Sequence, residues 1–128
     1  ATKKNPSMSP ANCDNTLAVG AVNRKGNYAK FSSYGDFVDI AAPGVEVWST
    51  LPPLLSITSS HIGYGPGTGT SMSAPHVAGA AAVVMARHPD WSPDQVEAKL
   101  LRSAVDAGPK GRDDRYGHGL LNLHAALR

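Results

Sequence analysis

Gly69-Thr70-Ser71-Met72-Ser73-Ala74-Pro75-His76-Val77-Ala78-Gly79 puts a hydroxyl where a glycine-rich loop gives way to an apolar segment. Pro75 is tolerated in a helix only in the first turn, where its missing N–H would be unbonded anyway. A helix is therefore predicted from near Ser71 to about Arg87. A serine at such a start sits at the positive helix end, beside backbone N–H groups that can hold the oxyanion of a tetrahedral acyl-transfer intermediate. Two accounts remain open at this point: Ser71 is a nucleophile, or it is only a helix N-cap, a role in which serine is common.

A serine attacking a carbonyl needs a general base within hydrogen-bond reach and a carboxylate to orient that base. His76 cannot be the base, because five residues of helix carry it about 500° around the axis, leaving it about 140° from Ser71. It is expected to be a packed structural histidine. His88, His118 and His124 have no mutual metal-ligand spacing and read as structural.

The elements that must position Ser71 follow from composition and pattern. With 128 residues and a net charge of +2, the chain has no charge imbalance that points to nucleic acid or a membrane surface. Its 18 Ala, 13 Gly and 12 Ser point to closely apposed backbones in a small-residue interior. The longest uncharged apolar stretch, Val77 to Ala86, is ten residues, about half of the roughly 20 needed to span a bilayer. Residues 15–22, 37–41 and 45–50 are β-prone runs, the last two separated by the breaker Pro43-Gly44. Leu51 to Thr70 is Pro-, Ser- and Gly-rich and reads as loop. The helix after Ser71, apolar on nearly all sides and containing Gly79, is expected to be covered all round and closely approached by a neighbour. Ser92-Pro93-Asp94-Gln95 has capping-box spacing and predicts an amphipathic outer helix over about 92–104. Residues 120–127 are expected to give a short strand and a terminal helix.

The string from Gly69 to Gly79 closely resembles the signature around the nucleophile of subtilisin-like serine peptidases. Ser9-Pro10-Ala11, Leu17-Ala-Val-Gly-Ala-Val22, Phe31-Ser-Ser-Tyr-Gly35, Val38-Asp-Ile-Ala-Ala-Pro-Gly44, His88-Pro89 and Gly117-His-Gly-Leu-Leu-Asn122 resemble family segments in the same order. A nucleophile elbow would need Gly where Ser73 stands, and a Ser-x-x-Lys motif would need Lys at Ala74. The resemblance implies an α/β fold: the C-terminal part of a subtilisin-like three-layer architecture, with a mostly parallel sheet and a central buried helix. It also implies that residues 1–128 are the C-terminal portion of the peptidase domain.

By the same resemblance Ser71 is the nucleophile and its own N–H an oxyanion donor, with Thr70 and Met72 shaping the site. The family order Asp, His, Ser, a worked example of convergent triads, puts the other two members upstream of Ala1. The base and its orienting carboxylate would then come from an N-terminal segment or chain of the same peptidase, and the isolated chain is expected to be inert. The family does not place its base at His61. Its oxyanion Asn, in a Gly-Asn pair, has no counterpart at Asn5. The substrate implied is a protein or peptide, and the setting secreted or extracytoplasmic, with processing from a zymogen.

No cofactor is needed for the chemistry. Some family members hold a structural calcium with a carboxylate matching Asp39 and carbonyls matching Asp14 and Thr16, and such hard oxygens suit Ca²⁺; an ordinary strand-edge role for Asp39 stays open. Cys13, the single cysteine, matches a position where some secreted members carry a half-cystine; a small buried thiol is the alternative. For the whole chain the alternative is a non-catalytic subtilisin-like remnant that binds or stabilises without hydrolysis. An all-apolar helix with so few strands to cover it also predicts a large exposed apolar face when the chain is alone.

Overall fold

The computed structural model describes residues 9–52 and 63–128. The order is β1 (Val19–Val22), β2 (Ile40–Pro43), β3 (Val47–Thr50), β4 (Tyr64–Gly67), α1 (Thr70–Arg87), α2 (Pro93–Ser103) and α3 (Leu123–Ala126). This is an α/β fold. Strands β1 and β2 pair in parallel, from Val19 opposite Ile40 to Val22 opposite Pro43. Single bridges widen this pair: Leu120 lies parallel to Ala41, Val105 antiparallel to Leu120, and Tyr28 antiparallel to Val22. The strand expected after residue 120 is thus one bridge, and α3 follows it, opened by the Asn122 side chain accepting the Ala125 N–H.

Parallel strands are covered on both faces, and Ala18, Ala21, Val22, Ile40, Ala41 and Ala42 are all buried. The small-residue interior follows from these alanines, which let α1 lie close against the sheet. Helix α1 packs on β1 and β2, α2 packs on α1, and α3 on α2. The core between them is Ile40, Ala42, Val77, Ala80, Val84, Val96, Leu100 and Ala126.

Helix α2 begins as expected, with a complete capping box: Ser92 Oγ accepts the Gln95 N–H at 3.3 Å and Gln95 Oε1 the Ser92 N–H at 2.8 Å. Helix α1 departs from expectation. Within the described residues only the stripe Ser73, Val77, Ala80 and Val84 is buried. The opposite side, including Ala74, Ala78, Ala82, Val83 and Met85, is exposed, and nothing approaches within 4 Å of a Cβ built at Gly79. In this chain the helix is covered along that one stripe, because the described strands pave only that side, and the rest of the cover expected for a whole domain is open here. The exposed apolar face foreseen for the chain alone is present.

A second difference is β4, which lies inside the segment expected to be loop. It pairs antiparallel with β3, Val47 opposite Gly67 and Thr50 opposite Tyr64. Its Tyr-Gly-Pro-Gly sequence has little strand propensity; the partner strand supplies the order. No helix among the described residues is long and apolar enough to cross a membrane.

Candidate functional site

The loop that opens α1 is anchored at the carboxyl ends of the parallel strands. Gly44, just beyond β2, donates its N–H to the Val22 carbonyl at 2.9 Å and accepts the Gly69 N–H at 2.8 Å. Thr68 Oγ1 accepts the Glu46 N–H at 2.9 Å. Two short links therefore fix residues 68 and 69 to the β2–β3 connection, and the first turn of α1 starts from a held point.

Gly44 makes this approach possible. A Cβ there would collide with Ser73 Oγ and lie 2.8 Å from both the Ala21 Cβ and the Gly69 carbonyl. Gly67 has a similar role, since a Cβ on it would fall 2.6 Å from the Met72 sulfur. Met72 packs over Gly67 and so ties the second residue after Thr70 to β4.

Gly69, not Ser71, is the N-cap of α1, and the Met72 N–H bonds its carbonyl at 3.0 Å. The plain capping account of Ser71 is thereby corrected. Ser71 is the second residue of the helix and is exposed. Its oxygen sits above Gly69, 3.0 Å from where a Cβ of that residue would be. The Met72 N–H is taken by Gly69, but among the described residues the Thr70 and Ser71 N–H groups have no partner, and no acidic side chain stands in this first turn to neutralise the positive end. The arrangement is an exposed alcohol beside unopposed amide dipoles, which suits addition to a carbonyl and capture of the resulting oxyanion.

Thr70 opens the helix and is half-buried, as is Met72. His76 is exposed rather than packed; its Nδ1 is 2.8 Å from the Met72 carbonyl. That correction has the same cause as the open face of α1, on which His76 lies. His88 stacks on Trp91, with ring centroids 3.8 Å apart, at the end of α1. The His118 N–H bonds the Asp39 carbonyl at 2.8 Å, and His124 is exposed on α3. None of these histidines hydrogen-bonds Ser71, and His61 and Asn5 lie outside the described residues.

Asp39 Oδ2 accepts the Ala18 N–H at 2.8 Å. This brings the carboxylate beside the stretch that holds Asp14 and Thr16. Thr16 Oγ1 donates to the Cys13 carbonyl at 2.7 Å. Cys13 is exposed and unpaired, which corrects the buried-thiol alternative. Among the described residues no three His, Cys, Asp or Glu side chains gather as a metal cluster.

Sequence reasoning passed over Gly44 and Ser73. Pro43-Gly44 reads as a breaker, and nothing local reveals that α1 presses against it from 29 positions further on.

The sequence profile of the subtilase family matches residues 1–119. Subtilisin NAT of Bacillus subtilis subsp. natto is 44% identical over 119 residues, which cover 93% of this chain and 28% of that protein. Subtilisin Savinase of Lederbergia lenta is 44% identical over 119 residues, 93% of this chain and 40% of that protein. Fervidolysin from Fervidobacterium pennivorans, a keratinolytic enzyme related to subtilisin, superposes with a TM-score of 0.83 at 36% identity, over 93% of this chain and 20% of that one. The chain thus spans well under half the length of these relatives. With the α/β fold and the match over 119 residues taken together, this chain belongs to the subtilase family.

Proposed function

We propose that this chain carries the nucleophile of a serine endopeptidase and corresponds to the C-terminal portion of its catalytic domain. The observation that carries the reading is Ser71 itself, exposed in the first turn of α1 with its hydroxyl unused for capping. Ser71 Oγ adds to the scissile carbonyl carbon while its proton passes to an imidazole. The carbonyl oxygen, now negative, is held by the Ser71 N–H at the positive end of α1. Collapse of the tetrahedral intermediate expels the amine, which takes the proton from the imidazolium and leaves an acyl-enzyme on Ser71. Water then repeats the sequence and frees the acid.

The imidazole and its orienting carboxylate are contributed by the segment or chain that precedes Ala1 in the family order. Covering the open face of α1 falls to the same part. By itself the chain is inert, since residual catalysis without triad partners is small in this class. The protein substrate, the extracytoplasmic setting and processing from a zymogen belong to the same reading. So does a disulfide from exposed Cys13 to a cysteine outside the chain. Calcium fits as a structural ion: the Asp39 carboxylate and the carbonyls of Asp14 and Thr16 are hard oxygens in adjoining stretches. It would brace this corner of the sheet and take no part in the chemistry.

A fluorophosphonate probe tests the reading. Native protein that includes the preceding part is expected to be labelled on Ser71, with labelling lost on heat denaturation and in Ser71→Ala. Absence of labelling with every chain present would establish the non-catalytic alternative.

A further inference from the structure

Beside β1, on the edge bridged by Tyr28, residues 28–35 fold back along the strand. The Ala29 N–H bonds the Ala21 carbonyl at 2.9 Å, and Ser32 Oγ accepts the Ala21 N–H at 3.0 Å. This return opens a cavity of about 430 Å³ lined by Tyr28, Lys30, Tyr34 and Arg115. None of its described lining residues belongs to the loop before Ser71.

The Arg115 guanidinium carbon lies 5.2 Å from the Tyr28 ring centroid and 5.9 Å from that of Tyr34. Two aromatic faces hold the cation in place, and its backbone is fixed by the Arg115 N–H bonding Asp113 Oδ1 at 2.7 Å. Tyr116 braces the floor: its hydroxyl accepts the Tyr28 N–H at 2.9 Å, and its ring meets Tyr28 edge-on. Among the described residues no carboxylate pairs with the Lys30 ammonium or the Arg115 guanidinium, the Asp113 carboxylate meeting Arg115 at its backbone N–H. The Tyr28 hydroxyl donates to the Ser32 carbonyl. Burial raises the Tyr28 pKa, against a smaller lowering by Arg115, so the phenol stays neutral and adds no negative charge to the cavity.

We propose that Tyr28, Lys30, Tyr34 and Arg115 form an anion pocket, apart from Ser71, that takes the side-chain carboxylate of an acidic peptide segment. A guanidinium braced by rings offers its planar N–H edge to a carboxylate, for which it is geometrically matched. The phenol faces provide apolar surface for the methylenes of a glutamate, and Lys30 adds a second positive charge at the rim. The choice of a peptide as carrier rests on the peptidase reading above. The pocket would then favour substrates with acidic residues away from the cleaved bond.

The test is equilibrium binding to the Ser71→Ala protein, in which no peptide is cut, by calorimetry at low salt. The probes are an acetylated tetraglutamate peptide, its tetraglutamine counterpart and inorganic phosphate. Expected results are at least tenfold tighter binding of tetraglutamate than of the other two, and weakening as salt is raised. Arg115→Gln is expected to cost tenfold or more, and exposed Lys30→Gln a few-fold, with unchanged circular dichroism. Arg115→Lys, which keeps the charge and loses the planar fork, should fall between. Equal binding of the two peptides, or unchanged affinity in both Gln variants, overturns the pocket. Phosphate binding as tightly as tetraglutamate overturns the peptide assignment. Failure of Ser71 labelling would sink the peptidase reading while leaving these affinities to be judged on their own.

Discussion

Helices α1 and α2 lie against each other and are built on opposite plans. Helix α2 carries its own start: Ser92 and Gln95 exchange capping bonds, Pro93 is preset for the first turn, and Asp94 faces the positive end. It buries Val96 and Leu100 and leaves Asp94 and Arg102 to water, with Glu97 and Lys99 half-buried. Helix α1 starts on a glycine with no capping side chain and no acid in its first turn. Every device that would stabilise its N-terminus locally is missing, and loop anchors at Gly44 and Thr68 stand in for them. A helix start left electrically unopposed is available to a developing negative charge. The difference separates a helix that stabilises from one that presents a group, and the second kind depends on its surroundings to stay folded.

The largest effects should separate the two helices by burial. Leu100 is fully buried and Met85 is 50% exposed. In the chain alone, Leu100→Ala is expected to cost about 2–5 kcal/mol by urea denaturation, and Met85→Ala no more than about 0.5 kcal/mol. In protein that includes the part proposed to cover α1, the Met85→Ala cost should climb toward that of a buried methionine. Equal costs at the two positions in the chain alone would erase the contrast.

A smaller pair of effects concerns the two starts. Ser92→Ala removes one side of the capping box and should cost about 1 kcal/mol, with Ser71 labelling unchanged. Gly69→Ala sets a methyl 3.0 Å from Ser71 Oγ. It is expected to slow fluorophosphonate labelling on the order of 10- to 100-fold, since small misplacements of a reacting atom are costly. A Gly69→Ala protein labelled at the ordinary rate would mean that the hydroxyl is not held by this turn.

The same contrast explains what could be read from residues alone. The start of α2 was legible because its determinants are four neighbours, Ser92 to Gln95. The start of α1 near Ser71 was legible because the glycine-rich loop gives way there to an apolar run. The open side of α1 was legible only as a conditional: Val77 to Ala86 demands cover, but which stripe receives it depends on where β1 and β2 lie. His76 was misjudged for that reason. Strand β4 was missed because Tyr64–Gly67 is ordered by β3, across a connection whose sequence is rich in breakers. Asn15, at the head of the run expected to be strand, takes a left-handed conformation, φ 61°, and β1 begins only at Val19.

The smallest effect bears on the seam that joins α1 to the sheet. Ser73 is fully buried, and its Oγ has no hydrogen-bond partner among the described residues. It does not take the usual mid-helix option of bonding a carbonyl one turn back. A buried hydroxyl left unbonded carries a desolvation cost of about 1–3 kcal/mol. Ser73→Ala removes that cost and one oxygen's worth of packing beside Gly44. The expected outcome is stability unchanged or raised by about 1 kcal/mol in urea denaturation, with Ser71 labelling retained. Such a result would mark Ser73 as tolerated for its size, in contrast with Ser71 two residues earlier, whose exposed oxygen is the one proposed to react. A loss of more than about 1 kcal/mol would instead mean that the hydroxyl bonds a partner in the folded protein, and that the seam between α1 and Gly44 is polar rather than merely tight.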